Sequence, residues 1–191
     1  AACRGLAAGH PRDLFLQVRA SCDAGADNAL CDDFARRISG MYRGWADARR
    51  MRFEVLHETP DGATTNGNAG ATAATTEPYQ MLAAISGFAA YSLLHAETGL
   101  HVLETPQEDD KSFNRARVHV RVVAQPDEPA GRGADALRKQ AAHAFASDPN
   151  GSQQIVRRYR EEPSPLVRDS VRGWRTGKLE RVLEGHFDLM F

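Results

Sequence analysis

Residues 117–122 alternate without a break: Val118, Val120 and Val122 fall on one side, Arg117, His119 and Arg121 on the other. Only a strand with one buried face accounts for a period of two, so the chain has to build a sheet. A second signal has a different period. Leu30, Phe34, Ile38, Met41, Tyr42 and Trp45 recur at steps of three and four, which predicts an amphipathic helix with Asp27 or Asn28 as its cap. A long apolar helix stripe beside half-buried strands implies an α+β fold, a mixed sheet backed by helices.

Further elements follow from the same rules. Leu14, Leu16 and Val18 alternate after Pro11 as a first strand, and Phe53 and Val55 place another over 52–57. Residues 88–95 read as a second helix against the sheet. Leu137, Ala141, Ala144 and Phe145 share one face of a short helix within 130–150. In the tail, Ile155 and Tyr159 alternate with arginines, and Thr176 is expected to cap a short helix bearing Leu179, Val182 and Leu183 that closes at Gly185. Between two of the strands, 15 of the 17 residues in 61–77 are Gly, Ala, Thr or Asn, a composition that predicts a flexible surface insertion.

Several function classes fall away at this point. The 191-residue chain carries a formal charge of −1, so nucleic-acid contact would have to come from local patches. One such patch runs from Arg157 to Arg181, where eight Lys or Arg face four acids. Cys3, Cys22 and Cys31 lack metal-ligand spacing, which argues against a disulfide framework or a zinc site. No apolar run reaches the 18 residues of a helical membrane span. No phosphate-binding glycine loop, cofactor fingerprint or Ser/His/Asp arrangement is visible, so no cofactor and no small-molecule substrate is expected. Among the scattered histidines, His95 and His101 flank Glu97 in the one cluster that invites a metal or acid–base reading; the expectation is a structural turn. The chain opens Ala1-Ala2-Cys3-Arg4, which admits either a removed presequence or an arbitrary starting point.

Glu97-Thr98-Gly99-Leu100-His101, the later Ser112-Phe113, and Met41-Tyr42-Arg43-Gly44-Trp45-Ala46 upstream stand in a fixed order. Gly151-Ser152-Gln153-Gln154-Ile155-Val156-Arg157-Arg158-Tyr159 and the tail from Leu166 through Asp169, Gly173, Val182-Leu183 and Gly185 continue it. In that order the chain resembles the middle and C-terminal parts of bacterial-type class-I peptide chain release factors. The resemblance implies a sandwich-like middle domain begun by residues 1–129 and completed by 151–191, with the helix of 130–150 standing where the family inserts its catalytic domain. That domain carries a Gly-Gly-Gln loop, which this sequence lacks throughout. Where the family reads the stop codon, this chain has Glu104-Thr105-Pro106-Gln107-Glu108-Asp109-Asp110-Lys111, whose acids would repel mRNA phosphate.

The expected function is therefore a non-catalytic, ribosome-associated structural or assembly protein of a mitochondrion or, failing that, of a chloroplast or the cytoplasm. Its partners would be a ribosome or ribosomal precursor. A free RNA-binding protein acting on particular transcripts is the alternative. Candidate RNA-contacting residues are Arg36, Arg37 and Arg43 on the first helix and Arg157, Arg158, Arg168, Arg172, Arg175 and Lys178 in the tail, because guanidinium groups suit phosphate. Glu104, Glu108, Asp109 and Asp110 form a candidate loop for a protein partner.

Overall fold

The computed structural model describes residues 12–22, 27–60, 77–106, 113–126, 133–147 and 151–189. Among these residues eight strands form one sheet: β1 Leu14–Ala20, β2 Arg52–Glu58, β3 Gln80–Ser86, β4 Gly99–Pro106, β5 Phe113–Ala124, β6 Ile155–Arg160, β7 Leu166–Asp169 and β8 Arg175–Thr176. Their order across the sheet is β2-β3-β1-β5-β4-β6-β7-β8. β4 and β6 run parallel and the other neighbours antiparallel, so the sheet is mixed and the α+β expectation holds. The insertion of 61–77 lies outside the described residues apart from Glu77.

Helix α1, Asn28–Ala48, lies on one face of the sheet. Of the two candidate caps it is Asp27 that serves: its Oδ1 accepts from the Ala29 amide at 2.9 Å. Phe34, Ile38 and Met41 are buried completely against Leu16, Val18, Val118 and Val120, at roughly 1.5–3 kcal/mol for each side chain removed from water. The short helix α2, Ala90–Leu94, adds Leu94 to the same core. Helix α3, Ala134–Ala146, packs Ala141 and Phe145 on Phe15, Leu56 and Ala84 on the opposite face. Arg138 Nε donates to the Leu56 carbonyl and Arg121 to that of Phe145, tying α3 to the sheet.

The tail differs in detail from its sequence reading. Thr176 belongs to β8; its hydroxyl accepts from the Lys178 amide, and Lys178, not Thr176, flanks helix α4, Leu179–Arg181. Beyond α4 the chain turns at Gly185, whose φ of 98° is left-handed. A Cβ there would stand 2.3 Å from the Trp45 backbone nitrogen, and one on Gly44 would stand 2.6 Å from the Glu184 carbonyl oxygen. Two backbones thus touch where neither residue can carry a side chain, and the Trp45–Phe187 stack and the Trp45–Asp188 hydrogen bond close over this point. Gly185→Ala is expected to cost at least about 2 kcal/mol, since the left-handed conformation alone costs an L-residue about 1–2 kcal/mol. Gly40→Ala on α1, where a Cβ meets open space, should be neutral or mildly stabilising. Urea midpoints that move alike for the two variants would refute this account.

Candidate nucleic-acid interface

The tail arginines divide into two groups with opposite environments. Strand alternation on β6 sends Arg157 and Tyr159 toward α1 and Arg158 and Arg160 to the other side. Arg157 is therefore fully buried, as are Tyr42, Glu97, His101 and Tyr159 around it. Its guanidinium donates to Asp169 Oδ2 at 2.8 and 3.2 Å and to Glu97 Oε1 at 2.9 Å, and its carbon lies 5.1 Å from the Trp174 ring centre and 4.9 Å from that of Phe187. Tyr42 donates to Glu97 Oε2 at 3.0 Å, and the Tyr159 hydroxyl lies 2.9 Å from His101 Nδ1. Arg172, on the turn after β7, reaches the same Glu97 carboxylate and the Leu93 carbonyl.

Each charge in this cluster is set by its neighbours. Burial pushes the Glu97 carboxyl up, but the charges of Arg157, of His101 once acid protonates it, and of Arg172 outweigh it and bring the pKa down from 4.5 to about 2. Burial and the Arg157 charge lower His101 from 6.5 to about 4, so its ring is neutral at pH 7. Burial and the Glu97 charge hold Tyr42 protonated. The cluster joins α1, the turn before β4, and strands β4, β6 and β7. Apart from Arg172 at its rim, it is buried and presents no surface to RNA.

Two sequence expectations are thereby corrected. Arg157 cannot touch RNA, because it neutralises Glu97 and Asp169 inside the core. Arg172 is largely committed to that same pair, with 17% of its side chain exposed. The turn expected at Glu97–His101 is present, with Glu97 a buried charge partner of Arg157 and His101 a buried neutral ring; no group of metal-ligating side chains occurs among the described residues.

The remaining candidates are at the surface with differing engagements. On α1, Arg37 pairs with Glu161 at 2.6 Å, Arg43 lies 3.5 Å from Glu58, and Arg36 stacks over the Tyr79 ring. On the tail, Arg168, Arg175 and Lys178 are exposed, while Arg158 pairs with Glu104 at 2.8 Å. Glu104, expected in a loop, lies in β4, because β4 and β5 stay paired out to Pro106 and Phe113. Glu108, Asp109 and Asp110 lie outside the described residues. Arg19, Arg115 and Arg160, absent from the sequence-based candidates, share the outer side of the sheet with Arg158 and Arg168; strand parity was the signal that could have found them.

Residues 7–119 match the family model of the PCRF domain, well over half the chain. The chain belongs to the class-I peptide chain release factor family. It is 32% identical to human mitochondrial peptide chain release factor 1 over 121 residues, 61% of this chain and 24% of that protein. Against peptide chain release factor 1 of Syntrophus aciditrophicus it is 29% identical over 119 residues, 61% of this chain and 29% of that protein. The chain thus spans about a quarter of the length of these relatives. The solved structure of RF2 from Thermus thermophilus superposes with a TM-score of 0.68 at 17% identity, covering 94% of this chain and 66% of that one, which extends the shared fold beyond the region matched in sequence.

Proposed function

We propose that this chain is a non-catalytic member of its family that sits on a ribosome or ribosomal precursor as a structural or assembly component. The observation that carries the reading is the connection between β5 and β6. Where the family resemblance implies a catalytic domain, the described residues between Ala124 and Ile155 form one helix, α3, folded onto the sheet through Ala141 and Phe145, and the sequence has no Gly-Gly-Gln. Peptide release needs groups that position water and stabilise an oxyanion at the reacting ester, and a helix clamped to the sheet offers none.

A mitochondrial setting is supported by the names of the human, mouse and bovine relatives, each a mitochondrial release factor. Glu108, Asp109 and Asp110 suit a basic protein neighbour better than mRNA, since like charges repel within a Debye length of about 8 Å.

Two measurements test the proposal. The protein should comigrate with a ribosomal subunit or its precursor when organelle lysate is fractionated on a sucrose gradient; recovery only in the free fraction would overturn the ribosomal reading. Added to ribosomes holding peptidyl-tRNA at a stop codon, it should release no peptide above background, and stop-dependent release would overturn the non-catalytic reading.

A further inference from the structure

Helix α3 covers the β2–β3–β1–β5 half of its side of the sheet, through Phe15, Leu56 and Ala84 and through Arg121 and Val123 of β5. Farther along, toward β8, the strands send arginines to that same side. Arg158 on β6 stands directly opposite Arg168 on β7, and Arg168 directly opposite Arg175 on β8. Arg160 lies one pleat further along β6 beside Glu104, and Arg115 faces Glu104 from β5.

Three like charges in register on adjacent strands, about 4.8 Å apart, are unfavourable for the sheet itself. Among the described residues, Glu104 is the one carboxylate that β4 to β8 place on this side, and it already answers both Arg158 at 2.8 Å and Arg115 at 3.8 Å. The positive charge along Arg158, Arg168 and Arg175 therefore exceeds what the sheet supplies to balance it. A cavity of about 70 Å³ opens at this place, lined by Glu104, Arg158, Arg160, Leu166 and Arg168 together with Tyr159. Guanidinium groups in a row, exposed at Arg168 and Arg175 and half-buried at Arg158, form beside a small cavity a receptor for successive phosphate oxygens, to which arginine donates in bidentate fashion.

We infer that the end of this sheet face beyond α3, and not the arginine face of α1, holds an RNA strand by its phosphates along Arg158, Arg168 and Arg175. The inference deepens the ribosomal reading and rests on it for the identity of the RNA. On α1 Arg37 and Arg43 each face a carboxylate and Arg36 lies over the Tyr79 ring, whereas in the row one carboxylate, Glu104, answers Arg158, which makes α1 the weaker competitor.

The test uses the full chain and a labelled, unstructured single-stranded RNA in a salt titration followed by fluorescence anisotropy. Affinity should fall linearly on logarithmic axes. R158Q/R168Q/R175Q should weaken binding at least tenfold at low salt and reduce the slope by about 2, at roughly 0.7 for each phosphate no longer neutralised. R36Q/R37Q/R43Q should bind within twofold of the parent. Because removing like charges relieves the sheet, the tail variant should melt no lower than the parent, which separates a loss of phosphate binding from a loss of folding. Binding unchanged in the tail variant, or binding abolished through α1 instead, would overturn the inference, as would no RNA binding even at low salt. Repeating the gradient fractionation with the tail variant separates the two readings. Comigration retained by a variant that binds RNA like the parent overturns the inference and leaves the ribosomal reading standing; RNA binding through the row without comigration does the reverse.

Discussion

Arg157→Ala is expected to destabilise the protein by about 3–5 kcal/mol, the range for removing one partner of a buried ion pair. The size follows from what would remain. Glu97 and Asp169 both lie in the core and both direct a carboxylate oxygen at the Arg157 guanidinium. Arg172 reaches the same two carboxylates from the rim, but it cannot fill the space between the Trp174 and Phe187 rings. Urea unfolding should place the variant at a much lower midpoint with a similar slope. Neutralising the carboxylates along with the arginine, as Arg157→Met with Glu97→Gln and Asp169→Asn, should restore part of the loss, because no buried carboxylate is then left without Arg157, and only Arg172 at the rim loses its ion-pair partners. A single variant as stable as the parent would show that the cluster's charges are not coupled as described.

Acid should unfold the protein in two stages of the same sign. His101 is held at about 4 in the fold against 6.5 outside it, so between those values the unfolded chain takes up a proton that the folded one refuses. Stability is therefore lost as pH falls from 6.5 toward 4. Glu97, at about 2 against 4.5, favours the fold above pH 4.5 and withdraws that support as pH falls toward 2. Each group contributes a slope of up to about 1.4 kcal/mol per pH unit within its window. Calorimetry should find a melting temperature that is nearly level just above pH 7, declines from about 6.5, and keeps declining below 4.5. His101→Gln should flatten the first stage and weaken the second, because protonated His101 is one of the charges that hold Glu97 down. A melting temperature constant from pH 7 to 4.5 would contradict the placement of His101.

Both predictions concern residues to which the sequence alone assigns a different role or none. Arg157 and Arg158 are neighbours of one chemical type in one basic run, and composition cannot separate them. Strand parity separates them only once the inward side of β6 is known, and that depends on the pairing of His101 with Arg157 and of Leu103 with Tyr159. A register one residue away would have exposed Arg157 and buried Arg158. Glu97 shows the same dependence, since it meets an arginine 60 residues away.

What the sequence determined by itself is whatever rests on local period and local chemistry. The steps of three and four from Leu30 to Trp45 required α1, the Asp27 carboxylate was available to cap it, and the Val118–Val122 alternation required a half-buried strand. The ordered motifs from Met41 to Gly185 also carried the family, because such an order survives without any knowledge of the fold. The tertiary structure decided which arginines are core and which are surface, that the α3 cluster does not extend to the strands carrying Arg158, Arg168 and Arg175, and that Gly44 meets Gly185. These are settled by long-range pairing, where burial of a charge is tolerable only if its partner arrives from a distant strand, and no short stretch of sequence records that arrival.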